Sequence, residues 1–206
     1  MTHPDGKVRA AGLPVLALLV CGGGALAAPA ASDGNRLFAP CVTCHQASAV
    51  GSADGTVPNL AGQGRRYLEK QLAMFRSGAR VDDSMQAVTS HPSFADPRHV
   101  PTLAGYLSAL EPNPAPVTGP GEHLAGARDL YEHVCTACHG PGGRGEDANR
   151  VPRIAGQHYP YLRRQLDSAA GFHRDLAPPE MTSALRALTS GEKDALADYV
   201  SRLGTH

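Results

Sequence analysis

The chain has 206 residues, with 19 lysines and arginines against 19 aspartates and glutamates. This balance produces no strong field, so composition does not favour a nucleic-acid-binding protein or one held on an anionic membrane. There is no tryptophan, and with only four phenylalanines and six tyrosines the large side chains are too few to fill two small cores without another group inside.

The N-terminal segment has the pattern of an export signal. Two basic residues precede an apolar run over residues 10–20, and small residues suited to cleavage follow at positions 25–27. The apolar run is too short for a comfortable membrane span. We therefore predict a signal peptide over residues 1–27, which would place a mature protein beginning near Ala28 in a bacterial periplasm.

Cys21 offers a second interpretation of the same segment. A cysteine there could carry the lipid of a bacterial lipoprotein, but Val20 precedes it where such sites usually have glycine, alanine or serine. Anchoring through Cys21 is therefore the less favoured interpretation. Export in either case implies an oxidising compartment, where paired cysteines become disulfides unless something else uses them.

The rest of the chain is a tandem repeat with a constant shift of 94 residues. The repeated pairs are Cys41-Val42-Thr43-Cys44-His45 with Cys135-Thr136-Ala137-Cys138-His139, Pro58-Asn59-Leu60-Ala61-Gly62-Gln63 with Pro152-Arg153-Ile154-Ala155-Gly156-Gln157, and Tyr67-Leu68 with Tyr161-Leu162. Because one offset holds over so many positions, the repeat indicates a duplicated domain.

Residues 112–121 separate the two repeats and contain four prolines. Proline favours extended polyproline geometry and does not continue a helix, so this segment is predicted to be a linker with some stiffness. The resulting domains cover residues 28–111 and residues 122–206.

Within each repeat the apolar pattern is helical. Leu68, Leu72 and Phe75 share one face of a predicted helix. A short helix is predicted to lead into each cysteine motif, and the Thr-x-x-Glu box at residues 189–192 predicts the start of the last helix. No alternating strand pattern of useful length is present. The sequence therefore predicts an all-α fold of two domains with long loops.

The Cys-x-x-Cys-His run places its two cysteines and its histidine in a defined geometry. Two cysteines three positions apart on a helical turn point to the same side, so both can form thioethers with neighbouring vinyl groups of one haem. The next histidine then lies under the iron as its proximal ligand. The pattern predicts two covalently attached haem c groups. Their predicted attachment residues are Cys41, Cys44, Cys135 and Cys138, and the predicted iron ligands are His45 and His139.

A Cys-x-x-Cys pair also occurs in zinc sites, disulfides and redox dithiols. Four thiolates could close one zinc site, but this would leave the histidine of each motif without a role. A thioredoxin-like site expects a strand–helix–strand context that the sequence lacks. Haem attachment is therefore the favoured interpretation.

A six-coordinate iron needs a second axial ligand, for which methionine is a common choice. Met181 is the single methionine of the second repeat, and Met85 occupies a similar position in the first. We predict Met85 and Met181 as the axial ligands. His91 and His173 are the competitors, and their binding would lower the reduction potential. Met74 is predicted to be a packing or surface residue.

A proline follows each motif histidine at an interval of 13 residues, as Pro58 and Pro152. A rigid turn there could offer a carbonyl to the second ring nitrogen of the histidine, but a simple turn after a flexible loop is equally compatible with the sequence. Most of the other histidines are predicted to be solvated or locally bonded. They are His99, His123, His133, His158 and His206.

These features together resemble the dihaem cytochrome c4 family, which is built from two class I cytochrome c domains. The similarity consists of both C-x-x-C-H motifs, both P-x-[LI]-A-G-Q segments, the repeated Y-L-x-x-Q-L and the late methionines. It implies cytochrome c-like domains of a few helices wrapped around covalent haems. It also implies His/Met ligation, proline carbonyls bonded to the proximal histidines, and a pseudo-twofold pairing that brings the haem edges close. Residues implied to lie near the haem or its propionates are Gln63, Tyr67, Gln157 and Tyr161.

The sequence departs from the family pattern at two places in the first domain. Gln46 follows the first motif where the family usually has glycine, whereas Gly140 follows the second. The segment after Met85 is longer and more broken by proline than the segment after Met181. We therefore expect a less regular methionine loop in the first domain and two different haem potentials.

Ligation of both iron faces by protein predicts an electron carrier and not an enzyme. The resemblance implies donation from a quinol-oxidising membrane complex, delivery to a terminal oxidase, and transient docking on such complexes. Two alternatives are a cytochrome subunit of a periplasmic dehydrogenase and, less favoured, a dihaem peroxidase or thiosulfate-oxidising haem enzyme, which would need an open iron. No nucleic-acid partner is expected.

Overall fold

The computed structural model describes residues 1–2, 29–171 and 177–204. Over these residues the chain is helical, and the only β pairing is an isolated bridge between Glu146 and Val151. None of the described helices is both long and apolar enough to cross a membrane. Apart from its first two residues, the predicted signal peptide lies outside the described residues, and so does His173.

The two repeats form matching sets of helices. In the first repeat these are α1 (Pro29–Phe38), α2 (Val42–His45), α3 (Arg65–Ser77), α4 (Asp83–Thr89) and α5 (His99–Ser108). In the second they are α6 (Leu124–Val134), α7 (Thr136–His139), α8 (Tyr159–Ala170), α9 (Pro179–Ala187) and α10 (Ser190–Arg202). Short 3₁₀ turns cover Ala39–Cys41, Pro92–Phe94 and Asp147–Asn149. The predicted all-α fold is confirmed.

In the first domain, α5 packs against both α1 and α3. The crossing of α1 and α5 is close because α1 has Gly34 at the contact. A Cβ at this position would lie 2.3 Å from the Cβ of Tyr106. Phe38 is fully buried at the end of α1, and its ring centroid lies 6.1 Å from that of Tyr106. This crossing fixes where α1 delivers the chain to the first cysteine motif.

The second domain repeats this arrangement, with α10 packed against α6 and α8. Tyr131 of α6 is fully buried, and its ring centroid lies 5.6 Å from that of Tyr199. The predicted capping box at the start of α10 is confirmed, since Thr189 and Glu192 exchange side-chain-to-backbone hydrogen bonds.

The linker is held on the second domain by a buried carboxylate. Asp198 of α10 is 1% exposed. Its oxygens accept hydrogen bonds from the backbone N–H groups of Gly119 at 2.9 Å and Gly121 at 2.6 Å, and from Nε of Arg202 at 2.8 Å. These donors compensate the burial of the charge. The linker therefore has a fixed path over α10.

The two domains meet through a pseudo-twofold pair of glutamines. The side chain of Gln157 accepts from the N–H of Asn59 and donates to its carbonyl oxygen, both at 2.9 Å. Gln63 forms the same two bonds with the backbone of Arg153, both at 2.8 Å. Since the members of each pair are related by the 94-residue repeat, the pseudo-twofold pairing expected from the family resemblance is present.

His158 breaks this symmetry, because its repeat partner is Gly64. The prediction that His158 is solvated or locally bonded is wrong: its side chain is 3% exposed and its partners are distant in sequence. Its Nδ1 accepts from the N–H of Val117 at 2.9 Å, and its Nε2 lies 2.6 Å from the carbonyl oxygen of Val50. The ring therefore joins the linker, the second domain and the first domain.

Candidate haem sites

Each cysteine motif forms one tight turn that presents two sulfurs. Cys41 closes the 3₁₀ turn after α1 and is partly buried, whereas Cys44 lies in α2 and is exposed. Cys135 and Cys138 have the same two environments, and no disulfide joins any of these four cysteines. Burial raises the pKa of both Cys41 and Cys135 to about 11, and the neighbouring cysteine adds to the effect. Before haem attachment, the inner sulfurs are therefore neutral thiols at neutral pH.

The motif histidines are buried and held by the two prolines. Nδ1 of His45 lies 3.0 Å from the carbonyl oxygen of Pro58, and Nδ1 of His139 lies 3.1 Å from that of Pro152. A carbonyl only accepts, so Nδ1 carries the hydrogen and Nε2 keeps its lone pair for a metal. Burial lowers the pKa of both imidazoles, and the carbonyl bonds offset this only in part. Both rings are therefore neutral at pH 7.

Backbone hydrogen bonds fix the loop that brings each proline to its histidine. The carbonyl oxygen of Ala49 accepts from two N–H groups just after Pro58, and Gly143 does the same after Pro152. Glycine is required nearby: a Cβ on Gly145 would lie 2.4 Å from the carbonyl oxygen of Pro152. The sequence analysis did not single out this glycine, although its recurrence at the 94-residue shift, as Gly51, was a usable signal.

The two predicted methionine ligands occupy the same position in equivalent helices. Met85 is the third residue of α4 and Met181 the third residue of α9. Both are partly buried. The N–H of Met85 donates to the capping carboxylate of Asp82 at 3.0 Å. The two methionines are 96 residues apart and not 94. They therefore correspond by their position within the helix and not by the repeat offset.

The donor set fits covalent haem better than zinc. Among the described residues, no three histidine, cysteine or carboxylate side chains converge on a point that could hold a metal ion. The four-thiolate zinc site considered from the sequence therefore does not form. Each domain instead offers two thiols on one turn with a neutral imidazole directly behind them, which suits thioether attachment with one axial ligand.

Comparison with known proteins agrees with this geometry. The family model of cytochrome c matches the chain twice, over residues 31–111 and 124–204. Cytochrome c4 of Stutzerimonas stutzeri is 31% identical, with 88% of this chain and 92% of that protein covered. The chain belongs to the cytochrome c4 family. The crystal structure of reduced recombinant cytochrome c4 from Pseudomonas stutzeri has a TM-score of 0.74 at 26% identity, covering 84% of this chain and 98% of that one.

A second kind of relative has a more specific name. A thiosulfate dehydrogenase electron acceptor of Stutzerimonas stutzeri (strain A1501) is 33% identical over 84% of this chain and 88% of that protein.

As a cytochrome c4 family member with two cytochrome c domains, the chain carries two covalently bound haem c groups. It is an electron-carrying cytochrome and not an enzyme.

His91, the competitor of Met85, has a local structural role in this cytochrome. Its Nδ1 lies 2.8 Å from Oγ of Ser93 and accepts from the N–H of the same residue at 3.2 Å. The exposed ring thus caps the 3₁₀ turn that follows it. These hydrogen bonds account for the position of His91 without a bond to iron.

Gln46 occupies a backbone conformation that suits glycine. Its φ is 61° and its ψ 163°, and Gly140 has nearly the same values of 75° and 162°. This region is essentially restricted to glycine, and another residue there costs about 1–3 kcal/mol. Gln46, which stands where the family usually has glycine, therefore introduces backbone strain directly after His45.

Gln46→Gly is expected to stabilise the first domain by about 1 kcal/mol, because relief of strain exceeds the added chain entropy of glycine. Denaturant unfolding of the holoprotein measures the change. The matched control is Gly140→Gln, which should destabilise the second domain through backbone strain alone, since a Cβ there has open space. An unchanged midpoint in both variants would contradict this account.

Tyr131 supports the second motif and has Leu37 as its repeat partner. Its hydroxyl donates to the carbonyl oxygen of Gly140 at 2.6 Å. Burial raises the pKa of Tyr131 to about 12. Only the neutral phenol can donate this bond. The stability it provides is therefore present below pH 10 and is lost as pH rises from 10 towards 12.

Tyr131→Phe is expected to cost about 1 kcal/mol at pH 7, because the hydrogen bond is lost. It should also flatten the alkaline loss of stability, which reaches at most about 1.4 kcal/mol per pH unit for one group. Urea unfolding at pH 7 and pH 11 tests both effects. Tyr106→Phe, which removes an exposed hydroxyl, should keep the wild-type alkaline slope. An equal slope in Tyr131→Phe would refute the assignment.

Proposed function

We propose that this cytochrome is a periplasmic carrier that accepts single electrons from a periplasmic dehydrogenase and passes them to the membrane-bound respiratory chain. The observation that carries the proposal is the duplicated turn of two thiols and one proline-bound imidazole. Two equivalent sites in one chain, joined by reciprocal glutamine hydrogen bonds, suit a carrier that relays electrons between two haems.

The assignment of site residues is part of this proposal. Cys41 and Cys44 would attach the first haem, and Cys135 and Cys138 the second. The proposed axial pairs are His45 with Met85 and His139 with Met181. When bound, haem c supplies a one-electron iron couple, whose potential a thioether ligand raises. Support comes from the matching third-residue positions of both methionines in α4 and α9.

The contribution of the chain is to hold the ligands in one geometry. The carbonyls of Pro58 and Pro152 fix the ring orientation of the histidines and keep the hydrogen on Nδ1. Burial of His45 and His139 limits the movement of both rings. Gln63 and Gln157 hold the two domains in one orientation.

The periplasmic location and the domain limits are also proposed. The N-terminal pattern supports export and removal of residues 1–27. Domains over residues 28–111 and 122–206, with a linker at 112–121, are supported by the two family matches that lie within them. N-terminal sequencing of the secreted protein would test the cleavage site near Ala28.

For the electron donor we favour a thiosulfate dehydrogenase. The relative named as an electron acceptor of that enzyme covers most of this chain. A second candidate donor is a quinol-oxidising membrane complex with delivery to a terminal oxidase, which the resemblance to the cytochrome c4 family implies. Both candidates use the same haem sites, so kinetics with purified donors must distinguish them.

The test is reduction of the oxidised cytochrome followed by absorbance. With thiosulfate dehydrogenase and thiosulfate, we expect rapid uptake of two electrons per chain, and only slow reduction without the enzyme. Reduction that the dehydrogenase does not accelerate, together with rapid reduction by a quinol–cytochrome c oxidoreductase, would reject the first donor in favour of the second.

A further inference from the structure

Two arginines lie on neighbouring segments of one loop in the second domain. Glu146 and Val151 form the isolated antiparallel bridge of this loop, with hydrogen bonds of 3.0 Å in both directions. Continuing the register of that bridge aligns Arg144 with Arg153. Beyond this pair, the carbonyl oxygen of Gly143 accepts from the N–H groups of the two residues after Arg153, at 2.8 Å and 3.0 Å. The two segments therefore stay side by side where both arginines stand.

The pair places two positive charges close together. Like charges on facing segments repel each other. The effect reaches Arg153, whose pKa is lowered first by burial and then by the charge of Arg144. At the 94-residue shift, the matching positions of the first domain are the uncharged Val50 and Asn59. The second domain therefore has a concentration of positive charge that the repeat did not require.

The protein itself does not neutralise this charge within the part of the chain that the structure describes. There, neither Arg144 nor Arg153 has a side-chain hydrogen bond or an ion pair. The two acids of the same loop are engaged elsewhere. The carboxylate of Glu146 accepts a hydrogen bond within its own turn at 2.7 Å, and that of Asp147 accepts from the backbone N–H of Arg66 in the first domain at 2.7 Å.

Arg153 lies in a niche at the end of α10. A Cβ on Gly204, just past that helix, would lie 3.2 Å from Nη2 of Arg153. The side chain is half-buried, and its Nε is buried without a partner among the described residues. An unmade hydrogen bond of a buried charged group is costly. Since Arg144 is exposed, the pair can be reached from solvent by a negatively charged acceptor.

A tetrahedral oxyanion with two negative charges matches two such side chains. Each guanidinium is a planar fork that can donate two parallel N–H···O bonds, and two forks balance the charge of a dianion. We propose that Arg144 and Arg153 form a binding site for a divalent oxyanion of the sulfate type, a class that includes thiosulfate and hydrogen phosphate. Binding at this site does not depend on the haem ligands or the electron donor proposed above.

Calorimetric titration of the haem-loaded cytochrome with sodium sulfate tests the site. Sodium chloride at equal ionic strength measures the general effect of salt. We expect one bound sulfate per chain in the wild type. The dissociation constant should rise at least about tenfold in Arg144→Gln and in Arg153→Gln, because each variant loses charge-assisted hydrogen bonds to the anion. Arg144 is exposed, so its replacement should leave the fold intact.

Arg150→Gln is the matched control, because Arg150 is an exposed arginine of the same loop that does not act on the pKa of Arg153. It should bind sulfate as the wild type does. Titrations of the reduced cytochrome with thiosulfate and with phosphate then identify the preferred anion. The proposal is overturned by wild-type heats no larger than those with chloride, by wild-type affinity in Arg144→Gln, or by equal weakening in Arg150→Gln. The haem count is independent of all three results.

Discussion

Replacing Cys135 and Cys138 together by alanine is expected to leave one haem per chain and to unfold the second domain. The buried apolar cluster of that domain is small, consisting of Tyr131, Leu162, Leu196, Ala197 and Val200. A domain of about 80 residues with such a core has little stability to lose. Because the haem supplies much of the remaining interior, its loss should exceed the about 5 kcal/mol that holds a small domain together.

Circular dichroism and a haem count on the same sample measure this effect. The double variant should lose close to half of its helical signal. Ala137→Ser, at an exposed position between the two cysteines, should keep two haems and full helicity. Retention of the wild-type helical signal and a cooperative melt in the double variant would show that the protein core is sufficient without haem.

Met181→Ala is expected to open one iron site while leaving the haem attached. Loss of a thioether ligand should lower the potential of the second haem on the order of 0.2 V, a part of the roughly 0.8 V that axial ligands span. The reduced variant should also bind carbon monoxide, which the wild type should not. Met85→Ala should do the same at the first haem.

Met74→Ala is the control for the methionine variants, because Met74 lies within α3 and its repeat partner is Ser168. It should leave both potentials and the inertness to carbon monoxide unchanged. A Met181→Ala protein with the wild-type spectrum and no carbon monoxide binding would exclude Met181 as a ligand, and His173 would become the leading candidate.

The features that could be predicted from the sequence are those that depend on neighbouring residues. The two cysteine turns, the helices that lead into them and the capping box of Thr189 and Glu192 each need only a short segment. The domain duplication was equally accessible, because a constant offset is visible without any structure.

The features that could not be predicted depend on how the two domains dock. Leu72 packs against the core as expected, but the neighbouring Gln71 is more deeply buried, and its Oε1 accepts a hydrogen bond from Arg80 at the interface. The buried positions of Asp198 and His158 follow from the path of the linker. Polar residues that are buried by tertiary contacts leave no periodic signal in a sequence.

The most direct test of the whole account is the intact mass of the purified, denatured protein, combined with a haem count. We predict a chain that begins near residue 28 and carries the mass of two haems, one on Cys41 and Cys44 and one on Cys135 and Cys138. A polypeptide without added haem mass, with zinc or disulfides at these four thiols, would contradict it.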